Sequence, residues 1–367
     1  MFRLLRRHLP FLCALALAAG LVGHAARAAD TTLAENIPAT KPAPPHIALL
    51  LPLNAAAFRQ PAEVVRRGFL AAAKTQADAP PVRIYPTTGE ASDILAVYVQ
   101  ALSRGARVAV GPLTRNAVSA LAASSLVVVP TLSLAMPDQE RMAIPSQLYL
   151  FGLSVEEEAR QVADAAARDG HHRPLLVAAD SPLARRMQAA FADEWQGQGH
   201  ALAGQLAFSP AGDLAPLRAA VQAADADMIF LAANVQEARM ARPYLSPTLP
   251  TYATSQAFAG RMQDPANVDL TGVRFFDMPW LLQPDHPAVM IYPRPDPPLG
   301  AELERLYALG IDAERLASQL YRDPSASALT LDGVTGRLTL APDHVFHREL
   351  VPAEFQQDSV VLVDSAP

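Results

Sequence analysis

Thr114 and Arg115 sit where a short stretch of sequence could turn polar groups onto a ligand. In Gly111-Pro112-Leu113-Thr114-Arg115 a Gly-Pro turn runs directly into a helical pattern, so both residues fall at a helix N-terminus. Free backbone N–H groups there attract a carboxylate or other anion. Ser133, Asp180, Asn234 and Ser255 each follow an apolar run of strand length. Ends of parallel strands are where α/β folds place ligands, so these six residues form a candidate cleft. Ordinary caps and turns use the same residue types, and that reading stands beside the first.

Other constellations carry less chemistry. His344-x-x-His347 has a spacing that ligates zinc on one helical turn, but Pro342 and the alternating pattern around it indicate a loop or strand with solvent-facing histidines. His171-His172 follows a helix-stopping Gly170. The run Glu156-Glu157-Glu158 falls in the first turn of a helix, where negative charge complements the helix dipole. The sequence holds two lysines, Lys41 and Lys74, and neither belongs to a Walker loop or a Ser-x-x-Lys site. Gly-x-Ser-x-Gly and His-Glu-x-x-His are both absent. No catalytic residue, metal ligand or cofactor is expected.

The 367 residues are 51 % apolar and 18 % charged, enough for two domains with a substantial core. Residues 1–28 read as a signal peptide: Arg3, Arg6 and Arg7, a short apolar run over 11–22, and Ala26-Arg27-Ala28 as a cleavage site after Ala28. Cys13 is the sole cysteine and lacks the small residues of a lipobox, which weakens any expectation of membrane anchoring. Removing the signal leaves 26 basic and 36 acidic residues and no cysteine, which excludes disulfides and thiolate chemistry. The acidic balance argues against a nucleic-acid partner. A soluble periplasmic protein is the expectation.

Positioning these residues requires a repeated strand–helix alternation. A Pro-rich leader (29–45) precedes a first unit, 46–150: strands 46–53, 82–86, 107–111 and 126–134, with helices 61–74, 92–104 and 114–123. A second unit, 151–272, opens with Ser154 and Glu157 as a capping box for helix 155–169. Strands 174–180, 201–209, 228–234 and 250–255 follow, with helices from Pro182, over 213–224 and over 235–243. Residues 273–335 are read as a long strand 273–282, an exposed Pro-rich loop 284–298 and two helices, 300–309 and 312–322, split at Gly310. The strand holds Phe275, Phe276 and Met278 around Asp277 and Trp280, a candidate crossover and partner region whose plain alternative is a buried strand. A C-terminal β-hairpin and tail occupy 336–367.

Two α/β units, a returning strand and no nucleotide fingerprint resemble the type I periplasmic binding-protein fold. That fold has two Rossmann-like lobes joined by crossover strands, with a cleft between them. Within it, ALLLPL (48–53), GPLTRNAV (111–118), GVRFFDMPWLL (272–282), LGIDAERLASQL (309–320) and LDGVTGRLTL (331–340) resemble the penicillin-binding protein activators of the LppC/LpoA type. The resemblance implies a non-catalytic periplasmic protein that stimulates a bifunctional penicillin-binding protein, a peptidoglycan synthase, by protein–protein contact. Longer members carry an N-terminal helical-repeat domain and a lipidated cysteine, neither of which is evident in these residues. Two readings compete: a solute-binding subunit of an importer for amino acids or amides, with a small molecule in the cleft, and, with least support, a periplasmic hydrolase.

Overall fold

The computed structural model describes residues 44–139, 142–326 and 328–363. The signal segment and all but the last two residues of the leader lie outside these.

The first lobe is built on a parallel sheet ordered β2-β1-β3-β4-β5. Its strands are β1 (His46–Leu51), β2 (Val82–Pro86), β3 (Ala106–Val110), β4 (Thr131–Ser133) and β5 (Leu148–Leu150). Every residue of β1 is buried, as expected of a central strand covered on both faces. Ile47, Leu49 and Leu51 face one core cluster, with residues of α1 (Arg59–Thr75). Ala48 and Leu50 face another, with residues of α2 (Ala91–Ser103) and α3 (Arg115–Ala122). The period of two turns one apolar run into two cores.

The second lobe carries β6 (Pro174–Ala179), β7 (Gly204–Phe208), β8 (Met228–Ala232), β9 (Thr251–Ala253) and β10 (Val273–Asp277). They are parallel and ordered β10-β9-β8-β6-β7, and β14 (Val351–Gln356) and β15 (Ser359–Leu362) extend the sheet antiparallel beyond β10. Helices α4 (Val155–Arg168), α5 (Pro182–Gly197), α6 (Ala215–Ala223) and α7 (Val235–Ala241) pack on it.

Between β10 and β14 the chain returns to the first lobe. It forms two single turns, α8 (Pro279–Leu282) and α9 (Pro287–Met290), then the long α10 (Ala301–Arg322). An antiparallel sheet of β11 (Thr330–Asp332), β12 (Arg337–Leu340) and β13 (Phe346–Glu349) follows. Its Leu331, Leu338, Leu340 and Phe346 join the core of β1 and α10. The described chain therefore crosses between lobes at 151–154, 277–279 and 349–351.

Four expectations need correction. The segment 126–134 is a strand only from Thr131, because Pro130 has no N–H for the ladder; Leu126, Val127 and Val129 pack against the α2–α3 core while Val128 faces solvent. The strand from Val273 ends at Asp277, where Pro279 starts a helical turn. The two helices expected around Gly310 are one. Gly310 packs against the backbone of Val65 and Phe69, and Gly68 against the backbone of Tyr307, so a Cβ at either would overlap main-chain atoms. Gly310 is there for close helix approach, not for a helix end. The Pro-rich 284–298 is largely exposed as expected, but it contains the helical turn α9 and is pinned to the core: Val289 and Tyr292 are buried, Tyr307 Oη donates to Pro293 O (3.1 Å), and the Arg294 guanidinium lies 4.0 Å above the Trp280 ring.

Candidate functional site at the lobe junction

The three crossings converge on the first turn of α4. Ser154 caps this helix, its Oγ accepting from Glu157 N (3.2 Å) and donating to Glu156 Oε2 (3.0 Å). The reciprocal half of the expected capping box does not form, because the Glu157 carboxylate turns instead to His347 Nδ1 (3.0 Å) on β13. A complete box exists at α7, between Asn234 and Glu237.

Each of the three consecutive glutamates meets a basic side chain. Glu156 Oε1 accepts from Arg186 Nε of α5 (2.7 Å) and lies 3.6 Å from Arg115 Nη1 of α3. Burial opposes its ionisation, but its own backbone N–H, Arg186 and Ser154 outweigh that and hold the carboxyl below its ordinary value. Glu157 is lowered first by its hydrogen bond to His347, against burial, with help from Arg160 and Arg348. Glu158 is buried: Oε2 accepts from Ser255 Oγ (2.6 Å) and Oε1 faces Arg348 Nη2 (3.3 Å). Burial raises its carboxyl despite Arg348, Ser255 and Arg305.

Deeper in the junction, Arg305 of α10 is fully enclosed. It donates twice to Asp277 (2.6 and 3.2 Å), once to Glu302 (2.6 Å), and to the carbonyls of Ser255 (2.9 Å) and Phe258 (3.2 Å). Burial favours its neutral form, yet the Asp277 carboxylate, with Glu302 and Glu158, raises it and keeps it charged. A second anchor lies under the Gly-x-Thr-Gly turn. Asp312 accepts from Val334 N (3.1 Å), Thr335 N (2.8 Å), Thr335 Oγ1 (2.7 Å) and Arg315 Nη1 (3.1 Å), and a side chain at Gly333 would strike its carboxylate. Burial pushes Asp312 up despite these partners.

A cavity of about 380 Å³ opens beside the glutamates. Its apolar wall includes Met136, Ile144 and Val345, and its rim carries Arg115, Glu157 and His347.

The sequence-derived candidates divide by location. Arg115 lines this cavity and reaches Glu156, while Ser255 and Asp277 meet through Arg305. Thr114 is 8 % exposed and its Oγ1 has no hydrogen-bond partner among the described residues. Ser133 is buried and donates to Ala135 O (3.0 Å). Asp180 makes a surface pair with Arg185 (2.6 Å), and Asn234 is occupied as the α7 cap. Trp280 is fully buried, donating from Nε1 to Glu304 Oε2 (2.7 Å) beneath Arg294. His344 lies on a turn with its ring against Tyr149, apart from His347 on β13.

Glu158, Arg305, Asp312 and Arg348 were missed. Glu156–Glu158 had an adequate local explanation at a helix start, and their partners lie up to 190 residues away. Charged residues at intervals inside the otherwise apolar pattern of 301–322 were the available signal.

Two lobes of parallel sheet and helix, joined by crossings at one junction, make this a protein of the type I periplasmic binding-protein fold. Within that class the chain belongs to the LppC family, whose model, "LppC putative lipoprotein", matches residues 24–217 and 217–358. A penicillin-binding protein activator LpoA of Photobacterium profundum is 26 % identical over 351 residues, 86 % of this chain and 56 % of the relative. The chain spans about half the length of the curated relatives it matches. A solved structure from Chromobacterium violaceum, described as a "putative branched-chain amino acid ABC transporter", is 42 % identical with a TM-score of 0.73, covering 85 % of this chain and 100 % of that one. The C-domain of LpoA from Haemophilus influenzae, a regulator of PBP1A, shares the fold at 24 % identity and a TM-score of 0.72, over 87 % of this chain and 100 % of that one. Among the described residues no helix is long and apolar enough to cross a membrane.

Proposed function

We propose that this protein is a non-catalytic activator of a bifunctional penicillin-binding protein, exported to the periplasm and acting by contact. The observation that carries the reading is the junction itself. Glu156, Glu157 and Glu158 join the lobes through Arg115, His347 and Arg348, so the two halves are held to each other by their own side chains. A solute trap needs lobes that part and close on a ligand, whereas an activator needs a fixed surface. The names of the LpoA relatives support the same reading. Contact raises synthase activity only if this protein binds the active arrangement more tightly than the inactive one. The test adds purified protein, residues 29–367, to its cognate synthase and follows glycan polymerisation and peptide crosslinking. Rates unchanged at saturating protein refute the proposal.

A second reading, a solute-binding subunit, is favoured by Thr114. Its buried, unpartnered hydroxyl at the start of α3 is what a bound carboxylate would satisfy. The name given to the Chromobacterium structure points the same way. A thermal-shift scan against amino acids, small peptides and peptidoglycan fragments separates the two. A ligand at a hundred times its Kd stabilises by about 2.7 kcal/mol, an easily read change.

A further inference from the structure

We propose that the first turn of α4 is an interlobe clasp, in which three consecutive carboxylates fan out to three basic side chains of the first lobe and hold the lobes together with no ligand bound. Successive residues of a helix point about 100° apart, so adjacent glutamates reach different partners. Glu156, hydrogen-bonded to Arg186 of its own lobe, lies within ion-pair reach of Arg115 at the start of α3 (3.6 Å), while Glu157 turns to His347 and Glu158 to Arg348, both on β13 of the sheet packed on the first lobe. The body of α4 belongs to the second lobe, where Ala159, Val162 and Ala163 enter its core. Three like charges on one turn repel, yet the helix N-terminus and a separate counter-charge for each offset that.

The arms differ in depth. Glu158–Arg348 is buried on both sides and sits beside the Arg305–Asp277 pair and the Ser255 hydroxyl, where the crossings meet. It is the pivot. The Glu157–His347 arm is open, with 29 % and 48 % of the two side chains exposed, and Glu156 lies at the cavity rim between Arg115 and Arg186. The Glu157 arm can release without unpacking a core. Gln161, one turn further along α4, adds a neutral tie by donating from Nε2 to the Arg348 carbonyl of β13 (2.5 Å). The clasp accounts for the glutamate run beyond what the helix dipole requires, and it does not depend on which partner the protein serves.

The test is an interlobe distance measurement on residues 29–367, which contain no cysteine, so two can be introduced cleanly. Val128 of the first lobe (66 % exposed) and Val268 of the second (56 %) are suited to spin labels. The clasp predicts one narrow distance population without ligand. E156Q/E157K should add a second, longer population, and H347E introduced into that background should shrink it by restoring an opposite-charge pair. H347Q, a single exposed change that leaves every buried group in place, should broaden the distribution in the same direction. A distribution in E156Q/E157K and H347Q indistinguishable from the parent overturns the proposal, as does failure of H347E to reverse the change.

Discussion

Arg305→Met is the sharpest probe of what the junction contributes. The side chain is 3 % exposed, and among the described residues its guanidinium is the hydrogen-bond partner of Asp277 Oδ2; Oδ1 keeps Met278 N (2.8 Å). Methionine preserves the stem but leaves a carboxylate buried without its counter-charge, and the carbonyls of Ser255 and Phe258 each lose a donor. Breaking one side of a buried pair costs roughly 3–5 kcal/mol. At roughly 2 °C per kcal/mol for a chain of this size, Tm falls by about 6–10 °C. Replacing both partners is different: with Asp277→Asn added, the uncompensated charge is gone, and the double variant should recover more than half of the loss. Urea unfolding followed by circular dichroism measures the cycle, with the slope checked for constancy. If Arg305→Met costs less than about 1 kcal/mol, or the double variant is as unstable as the single, the pair is not the interlobe anchor described.

Gly310→Ala sets helix propensity, worth about 1 kcal/mol in favour of alanine, against a Cβ that meets the Val65 carbonyl; overpacking should win and lower stability by about 1–3 kcal/mol in denaturant titration. Thr114→Val removes a buried unpartnered hydroxyl and should leave stability unchanged or slightly higher by thermal melt, while abolishing any ligand-induced shift if the second reading holds. The Glu157–His347 arm gives a pH signature. His347, ordinarily 6.5, is raised chiefly by the Glu157 hydrogen bond, so its contribution is complete below 6.5 and lost as pH rises through the higher folded value. Glu157, ordinarily 4.5, is lowered, so its contribution holds above 4.5 and fades as pH falls through the lower folded value. The stability gap between the parent and His347→Gln should be widest between these values and narrow by pH 8.5, staying under about 1 kcal/mol because both groups are partly exposed; a gap that widens with pH contradicts the pairing.

The lobes were legible because their signals are local. Runs such as 47–51 and 228–232 are apolar throughout, and Ser181-Pro182 and Gly105 mark helix boundaries by short-range chemistry. What failed was decided at a distance. Gly310 reads as a helix stop unless the backbone of α1 is known to lie against it. Asp277 looks like one polar residue in an apolar run until Arg305 is placed beside it. The same holds for the site: Thr114 and Arg115 follow from the Gly-Pro turn, but the junction's charges pair across up to 190 positions, and no spacing rule spans that gap.

The crossing pattern also sets the order in which the molecule can be finished. The sheet of the second lobe has β14 and β15 at one end, and the core of the first lobe needs α10 and β11–β13. In a chain made from its N-terminus, 46–133 could collapse early yet would expose the apolar face that α10 later covers. The first lobe does not close until β13 is available, nor the second until β14 and β15 are. Closing both cores therefore relies on contacts of high sequence separation, which are slow to form. Loss of the final strand pair should leave an open sheet edge at β10, prone to pairing with another chain.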